Sequence, residues 1–173
     1  MAHNEIHVDA PPDAVFAVLA DPRSFARWVV GSRKIRAADP DWPAAGTTFD
    51  HAVGIGPLAL ADSTTVRAAD RPHRLELLVR ARPLTQAVVT LRMHGEGEGT
   101  RVELDERPAD LRSWIFLNPL TDPLVRLRNR ESLRRLKALA QGDEPIPAGS
   151  LPPREHPAEA AVQGSSRPAT PDR

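Results

Sequence analysis

The chain has 173 residues, with 23 basic and 23 acidic side chains and no cysteine. This length corresponds to one domain, the zero net charge gives no overall attraction to nucleic acid, and the lack of cysteine excludes disulfides, thiolate zinc sites and cysteine nucleophiles. Because no apolar run reaches the ~20 residues of a membrane-spanning helix and the N-terminus lacks a signal-peptide pattern, we expect a cytoplasmic protein without stable membrane insertion.

The first predicted elements are a short strand and two short helices. Residues Asn4–Val8 alternate polar and apolar side chains, which is typical of a strand. A helix over Asp13–Leu19 follows, since Pro12 suits the first turn of a helix. The pair Asp21–Pro22, a capping residue followed by proline, predicts a second helix that ends near Trp28.

Six further strands are predicted between residues 32 and 108, where proline and glycine separate segments of alternating polarity. A hairpin loop at residues 95–99 separates the last two strands. The predicted strands are Ser32–Ala38, Thr47–Val53, Leu58–Ala68, Arg74–Ala81, Ala87–Met93 and a last strand that contains Val102, Leu104 and Glu106.

A long helix is predicted over Asp122–Ala140, which has an apolar stripe at helical spacing and is followed by Gly142 at a terminating position. Residues 142–173 hold seven of the chain's 18 prolines and few large aliphatic side chains. Such a composition cannot bury enough apolar surface to offset the entropy of ordering. We therefore predict a folded domain over residues 1–141 and a disordered, proline-rich tail over residues 142–173.

This order of elements predicts an α+β fold. A doubly wound fold is excluded because it requires helices that alternate with strands. The arrangement that buries the apolar faces is a curved antiparallel sheet of about seven strands wrapped on the long C-terminal helix, with the two short helices after the first strand. A strongly curved sheet cannot contact one helix along its whole length, so a cavity is expected between them.

Several segments of this sequence also carry a family resemblance. They are IHVDAPPDAVF at residues 6–16, LADP at 19–22, Trp28 and DRPHRL at 70–75. Together with the element order they resemble the START-like, Bet v 1-like helix-grip superfamily (SRPBCC), over about residues 3–141. Residues 28–31, 39–46 and 128–136 further resemble a polyketide cyclase/dehydrase-like group of small actinobacterial proteins. The resemblance implies the helix-grip fold, which hosts lipid carriers, cyclases, hormone receptors and cochaperones, so that the site must decide the function.

The predicted cavity face is mainly apolar and suits a ligand of polyketide, lipid or isoprenoid type. The alternative is that the same residues simply fill a core, and that each tryptophan packs as an ordinary large ring. The residues predicted to contact a ligand are Trp28, Phe49, Thr64, Leu77, Val89, Leu91, Met93, Leu104 and Asn129.

Three ionisable residues share the phase of this face and are the candidates for catalysis: His51, Asp62 and Glu106. A histidine beside carboxylates in a low-dielectric pocket is a plausible acid–base set for enolising a β-keto carbon or protonating a departing hydroxyl. The alternative is that His51 and Asp62 lie at open strand ends, or that these two pair structurally with Arg128. The other histidines show no ligand spacing, so no metal is predicted, and no cofactor is expected.

Three classes of function remain open at this stage. The leading hypothesis is a protein that binds a small hydrophobic molecule, with polyketide cyclase/dehydrase-like catalysis as its enzymatic version. The second is a non-catalytic carrier or sensor of a lipid or quinone. The third is a cochaperone-like interaction module that uses the basic face of the last helix, although a solvated face explains those charges equally. The oligomeric state is left open.

Overall fold

A computed structural model of the chain describes residues 1–55, 58–81, 85–110 and 122–154. Its helices are α1 (Pro12–Leu19), a 3₁₀ turn (Pro22–Ser24), α2 (Phe25–Trp28) and α3 (Asp122–Ala140). Its strands are β1 (Ala2–Val8), β2 (Ser32–Ala38), β3 (Thr48–Ile55), β4 (Leu58–Asp70), β5 (Arg74–Ala81), β6 (Thr85–Glu96) and β7 (Gly99–Pro108).

The strands form one seven-stranded sheet in the order β1-β7-β6-β5-β4-β3-β2. All neighbouring strands pair antiparallel. Strands β2 to β7 form a meander, and β1 forms the edge of the sheet beside β7. Bulges interrupt the pairing within β2 and between Val66 and Ala68 of β4, and such bulges increase strand twist. The predicted α+β helix-grip fold is confirmed.

Helix α3 runs beside β1 and packs on α1 and α2. Leu133 and Leu136 are its fully buried side chains, and they face a core that contains Phe16 of α1 and Val8 of β1. Since α3 leans on the edge strand and on the two short helices, it stands away from the middle of the sheet. That offset leaves room between α3 and the central strands.

The sequence predictions agree with the structure most closely at β2, β5 and α3, whose bounds are those expected. Strand β6 is longer than predicted, because its pairing with β7 continues to the hairpin at Glu96 and Gly99 beyond the apolar residues that marked it. The predicted second helix is a 3₁₀ turn followed by the four-residue α2. The turn begins where the Asp21 carboxylate accepts a hydrogen bond from the Arg23 backbone at 2.9 Å.

The chain after α3 lies against the domain as far as the structure describes it, and we call residues 143–154 the C-terminal segment. Ile146 and Leu151 pack against the core, and the Ala38 amide donates to the Pro152 carbonyl at 3.2 Å. These contacts lie within the tail that composition predicts to be disordered, and that division of the chain stays a prediction. The segment's few aliphatic side chains are supplemented by bonds to the open edge of β2, which composition does not reveal. Residues 155–173 of the predicted tail lie outside the described residues.

Candidate functional site

A cavity of about 90 Å³ lies between the sheet and α3. Its wall is built by α2, by the start of β2, by the five strands from β3 to β7 and by α3. Nine of the twelve residues predicted for the site lie on this wall: Trp28, Phe49, His51, Thr64, Leu77, Val89, Leu104, Glu106 and Asn129.

The other three predicted residues, Asp62, Leu91 and Met93, are not on the wall. Leu91 and Met93 are fully buried in the core, at the end of β6 on which α1 packs. Asp62 is buried opposite His51 in the sheet, but its carboxylate accepts a hydrogen bond from the Ser63 backbone at 2.8 Å. The period-two alternation along each strand assigned these residues to the face of the sheet that the cavity occupies. It could not show how far along each strand the cavity extends.

An aromatic cluster forms one end of the cavity. The Phe25 ring lies 5.0 Å from the Trp28 ring and 4.7 Å from the Phe49 ring, measured between centroids. Trp42 stands behind them, edge-on to Phe49, and its indole Nε1 donates to the Leu19 carbonyl at 3.2 Å. Trp42 therefore supports the wall, whereas Trp28 belongs to it. Phe25 was missed by the sequence analysis, although it lies one helical turn before Trp28.

His51 is a titratable side chain of the wall. Its Nε2 and the Thr64 Oγ1 are 3.1 Å apart, and the residue is only 4% exposed. Burial lowers the pKa of His51, and the carboxylates of Asp62 and Asp50, with a lesser contribution from the Ser63 backbone, oppose part of that effect. Burial dominates, so His51 is neutral at pH 7 and one ring nitrogen carries the proton.

A charged network lies where β7 faces α3. The Glu106 Oε2 accepts hydrogen bonds from the Arg128 guanidinium and, at 2.9 Å, from the Asn129 Nδ2. Arg128 also donates to the Asn129 Oδ1 at 3.0 Å. The Glu106 side chain is 6% exposed and that of Arg128 is 41% exposed, so the pair extends from the cavity to solvent. Arg128 was expected as a structural partner of His51 or Asp62, and it pairs with Glu106 instead.

Three polar side-chain atoms on the wall are buried without a hydrogen-bond partner among the described residues: the Trp28 Nε1, the Ser32 Oγ and the His51 Nδ1. An unmet buried donor or acceptor costs about 1–3 kcal/mol, so such atoms are rare in native interiors. Each of these atoms belongs to a wall residue but has almost no accessible surface of its own, so a polar group reaches it only when the cavity opens further. Ser32 gave no signal in the sequence.

Neither a metal site nor a membrane span is found in the part of the chain that the structure describes. There, no group of three or more histidine or acidic side chains is placed to hold a metal ion. Likewise, no helix among those residues is both long and apolar enough to cross a membrane.

Comparison with known families gives one match over most of the chain. The model described as polyketide cyclase/dehydrase and lipid transport matches residues 2–141, which include every residue of the cavity wall. A comparison with curated proteins finds no match.

Solved structures share the fold at low sequence identity. TTHA0849 from Thermus thermophilus is 16% identical, with a TM-score of 0.63 over 83% of this chain and 99% of its own. CalU16 from Micromonospora echinospora is 20% identical, with a TM-score of 0.55 over 82% of this chain and 76% of its own. DynU16, described as a putative protein in the dynemicin biosynthetic locus, is 18% identical, with a TM-score of 0.62 over 85% of this chain and 49% of its own. At these identities the likeness establishes the fold alone.

Proposed function

Because this chain belongs to the polyketide cyclase/dehydrase and lipid transport family, we propose that it binds a small amphipathic molecule of polyketide, lipid or isoprenoid type in the cavity between the sheet and α3. The observation that carries this proposal is a cavity that combines aromatic and aliphatic side chains with three wall residues, each of which has one buried polar atom without a partner. A relative from a biosynthetic locus supports the same ligand class. We propose a cytoplasmic location for this activity.

The side chains of the wall indicate which chemical groups of such a ligand the cavity accepts. The rings of Phe25, Trp28 and Phe49 offer apolar contact to a flat body. The indole of Trp28 can only donate a hydrogen bond, so the ligand brings an acceptor oxygen to it. Glu106 is balanced by Arg128 and His51 is neutral, so no charge on the wall is left to attract an ion. A neutral hydroxyl or carbonyl compound fits these conditions.

Binding can be tested with two probes of equal shape, p-cresol and p-xylene, which differ by one hydroxyl. We expect p-cresol to bind more tightly and to shift the indole N–H resonance of Trp28 in a ¹⁵N-labelled sample. Trp28→Phe removes the donor and keeps a ring, so it should reduce the preference for p-cresol by roughly two- to tenfold, the equivalent of one neutral hydrogen bond.

The matched control is Trp42→Phe, since the Trp42 indole already donates to Leu19 and is not on the wall. This variant should keep the preference for p-cresol. If neither probe binds, or if the two variants discriminate equally well, the cavity does not bind ligands in the proposed way.

A second candidate function is acid–base catalysis on the bound molecule, and the unpartnered Nδ1 of a neutral His51 favours it. A general base must lie within hydrogen-bond reach of the proton that it removes, and holding the substrate there lowers the barrier further. Of the three predicted catalytic residues, His51 is the best placed. The Glu106 carboxylate is engaged by Arg128 and Asn129, and Asp62 is not on the wall.

Hydrogen–deuterium exchange at the acidic carbon of a β-keto ester separates an enzyme from a carrier. We expect the wild type to accelerate this exchange and His51→Gln to lose roughly a hundredfold or more of the acceleration, because one positioned base contributes about that much. The same variant should still bind p-cresol. Equal exchange rates for the wild type, the variant and buffer would identify a non-catalytic carrier or sensor.

A further inference from the structure

The cavity is too small for the ligand that its wall would suit. Its volume is about 90 Å³, whereas a cavity of about 150 Å³ admits benzene and ligand pockets commonly span about 300–1,000 Å³. Binding therefore requires part of the wall to move outward. The element that moves decides how access to the site is controlled.

Helix α2 is the shortest element of the wall. Strands β3 to β7 are hydrogen-bonded to neighbours on both sides, and α3 is anchored by fully buried leucines. By contrast, α2 has only four residues, yet it places Phe25 and Trp28 on the wall and is followed directly there by Val29. An outward shift of this short helix would enlarge the cavity at its aromatic end.

The C-terminal segment holds α2 and the adjoining 3₁₀ turn from outside. The Arg23 Nη1 donates to the Gly149 carbonyl at 2.6 Å, and the Arg27 Nη2 donates to the Glu144 carboxylate at 3.3 Å. Arg23 is itself fixed by two hydrogen bonds from its guanidinium to Asp21, at 2.6 and 2.9 Å. Gly149 has a φ of +123°, which residues with a side chain rarely adopt, so the turn that presents its carbonyl depends on glycine.

The far end of the segment is fastened to the sheet edge. Ala38 of β2 forms a parallel bridge with Pro153, and the Arg154 Nε donates to the Asp50 carboxylate at 3.0 Å. Asp50 directly precedes His51 on β3. The segment thus runs from the end of α3, past α2, to β3, the strand that carries His51.

We propose that the C-terminal segment is a latch that holds α2 over the cavity, and that its release admits the ligand. This inference rests on the proposed function, because it concerns access to the same site. The segment begins after the residues that match the family model, which end at 141, so the latch is an addition to the family domain. Its fastenings are half-exposed ion pairs and a few backbone bonds, which are individually weak and suit reversible release.

The first test needs no ligand. The double substitution Leu151→Ala and Arg154→Ala removes an apolar contact and an ion pair from the latch. We expect amide exchange in α2, followed by mass spectrometry of the full chain, to become at least tenfold faster. Lys137→Ala is the matched control, since it removes an ion pair with Asp9 in which no residue of the latch takes part. Exchange in α2 that is equal in the two variants would overturn the proposal.

The second test locks the latch. The chain has no cysteine, so Ala38→Cys with Pro153→Cys introduces a single pair at bridge partners, whose separation in a sheet suits a disulfide. We expect 1-naphthol, followed by quenching of tryptophan fluorescence, to associate at least tenfold more slowly with the oxidised protein than with the reduced protein. Equal association rates with clear binding would overturn the latch and leave the proposed function standing. Absence of binding in both forms would overturn the proposed function, while amide exchange in α2 would still decide whether the segment restrains that helix.

Discussion

Replacing Arg128 with methionine should destabilise the protein through the carboxylate that it leaves behind. The Glu106 side chain is 6% exposed and that of Arg128 is 41% exposed. Breaking a fully buried pair costs about 3–5 kcal/mol, and an exposed pair contributes about 0–1 kcal/mol, so we expect a loss of about 2 kcal/mol for this half-buried pair. Asn129 would remain as a donor to Glu106, but it brings no compensating charge.

A double-mutant cycle isolates the interaction. Glu106→Gln keeps an acceptor for Asn129 and removes the charge, which should cost about 1 kcal/mol. The double variant buries no unpaired charge, so it should also lose only about 1 kcal/mol of stability. The losses of the two single variants add to about 3 kcal/mol, so the coupling free energy of the pair should be about 2 kcal/mol. Urea unfolding at pH 7 measures each free energy of unfolding.

The pair Glu131 and Arg135 on the outer face of α3 is the matched control. These side chains are 2.9 Å apart at i,i+4 spacing and both are more than 40% exposed, so their cycle should give about 0.5 kcal/mol or less. Coupling of the Glu106–Arg128 pair that is no larger than this control would refute the reasoning, because it would mean that solvent screens the pair on the cavity wall as fully as one on the surface.

Two further predictions concern stability. Because burial lowers the pKa of His51 below its ordinary value near 6.5, the unfolded chain binds the extra proton first. The free energy of unfolding should therefore be unaffected by this group above about pH 6.5 and should fall by up to about 1.4 kcal/mol per pH unit below it. His51→Leu should flatten that slope in urea titrations between pH 5 and 8, and an unchanged slope would contradict the assignment. Leu136→Ala, at a fully buried position, should cost about 2–5 kcal/mol, whereas Leu124→Ala, which is 71% exposed, should change stability by less than about 0.5 kcal/mol in the same assay.

Most of the fold was predictable because its signals are local. Alternation with period two, broken by proline and glycine, marks each strand, and the stripe from Asn129 to Leu136 marks α3. The bounds of β2, β5 and α3 follow from these signals alone. Where the pattern is weak, pairing extends β6 beyond what its own residues indicate, with β5 at Thr85 and with β7 at Glu96.

The sequence predicts which residues lie on the face of the sheet that bears the cavity, but it does not predict the extent of the cavity. Residues of one phase on β3 to β7 share a face, which brought seven of the twelve predicted residues to the wall, and Trp28 of α2 and Asn129 of α3 make nine. The extent of the cavity depends on which elements fill the rest of that face, and α1 occupies the end where Leu91 and Met93 lie. No local pattern shows that Arg128 reaches Glu106, because their 22-residue separation is closed only by the packing of α3.

The contacts of the C-terminal segment are ones that composition does not reveal, and the reason bears on its role. Low hydrophobicity means that a segment cannot fold by its own apolar burial, but it does not prevent docking on an edge strand and on arginines that the domain already positions. Ala38 supplies the backbone group, and Arg23 supplies a guanidinium already held by Asp21. Each of these contacts contributes little to the free energy with which the segment docks on the domain. The segment can therefore detach without unfolding the domain, which is the property that a latch over a ligand cavity requires.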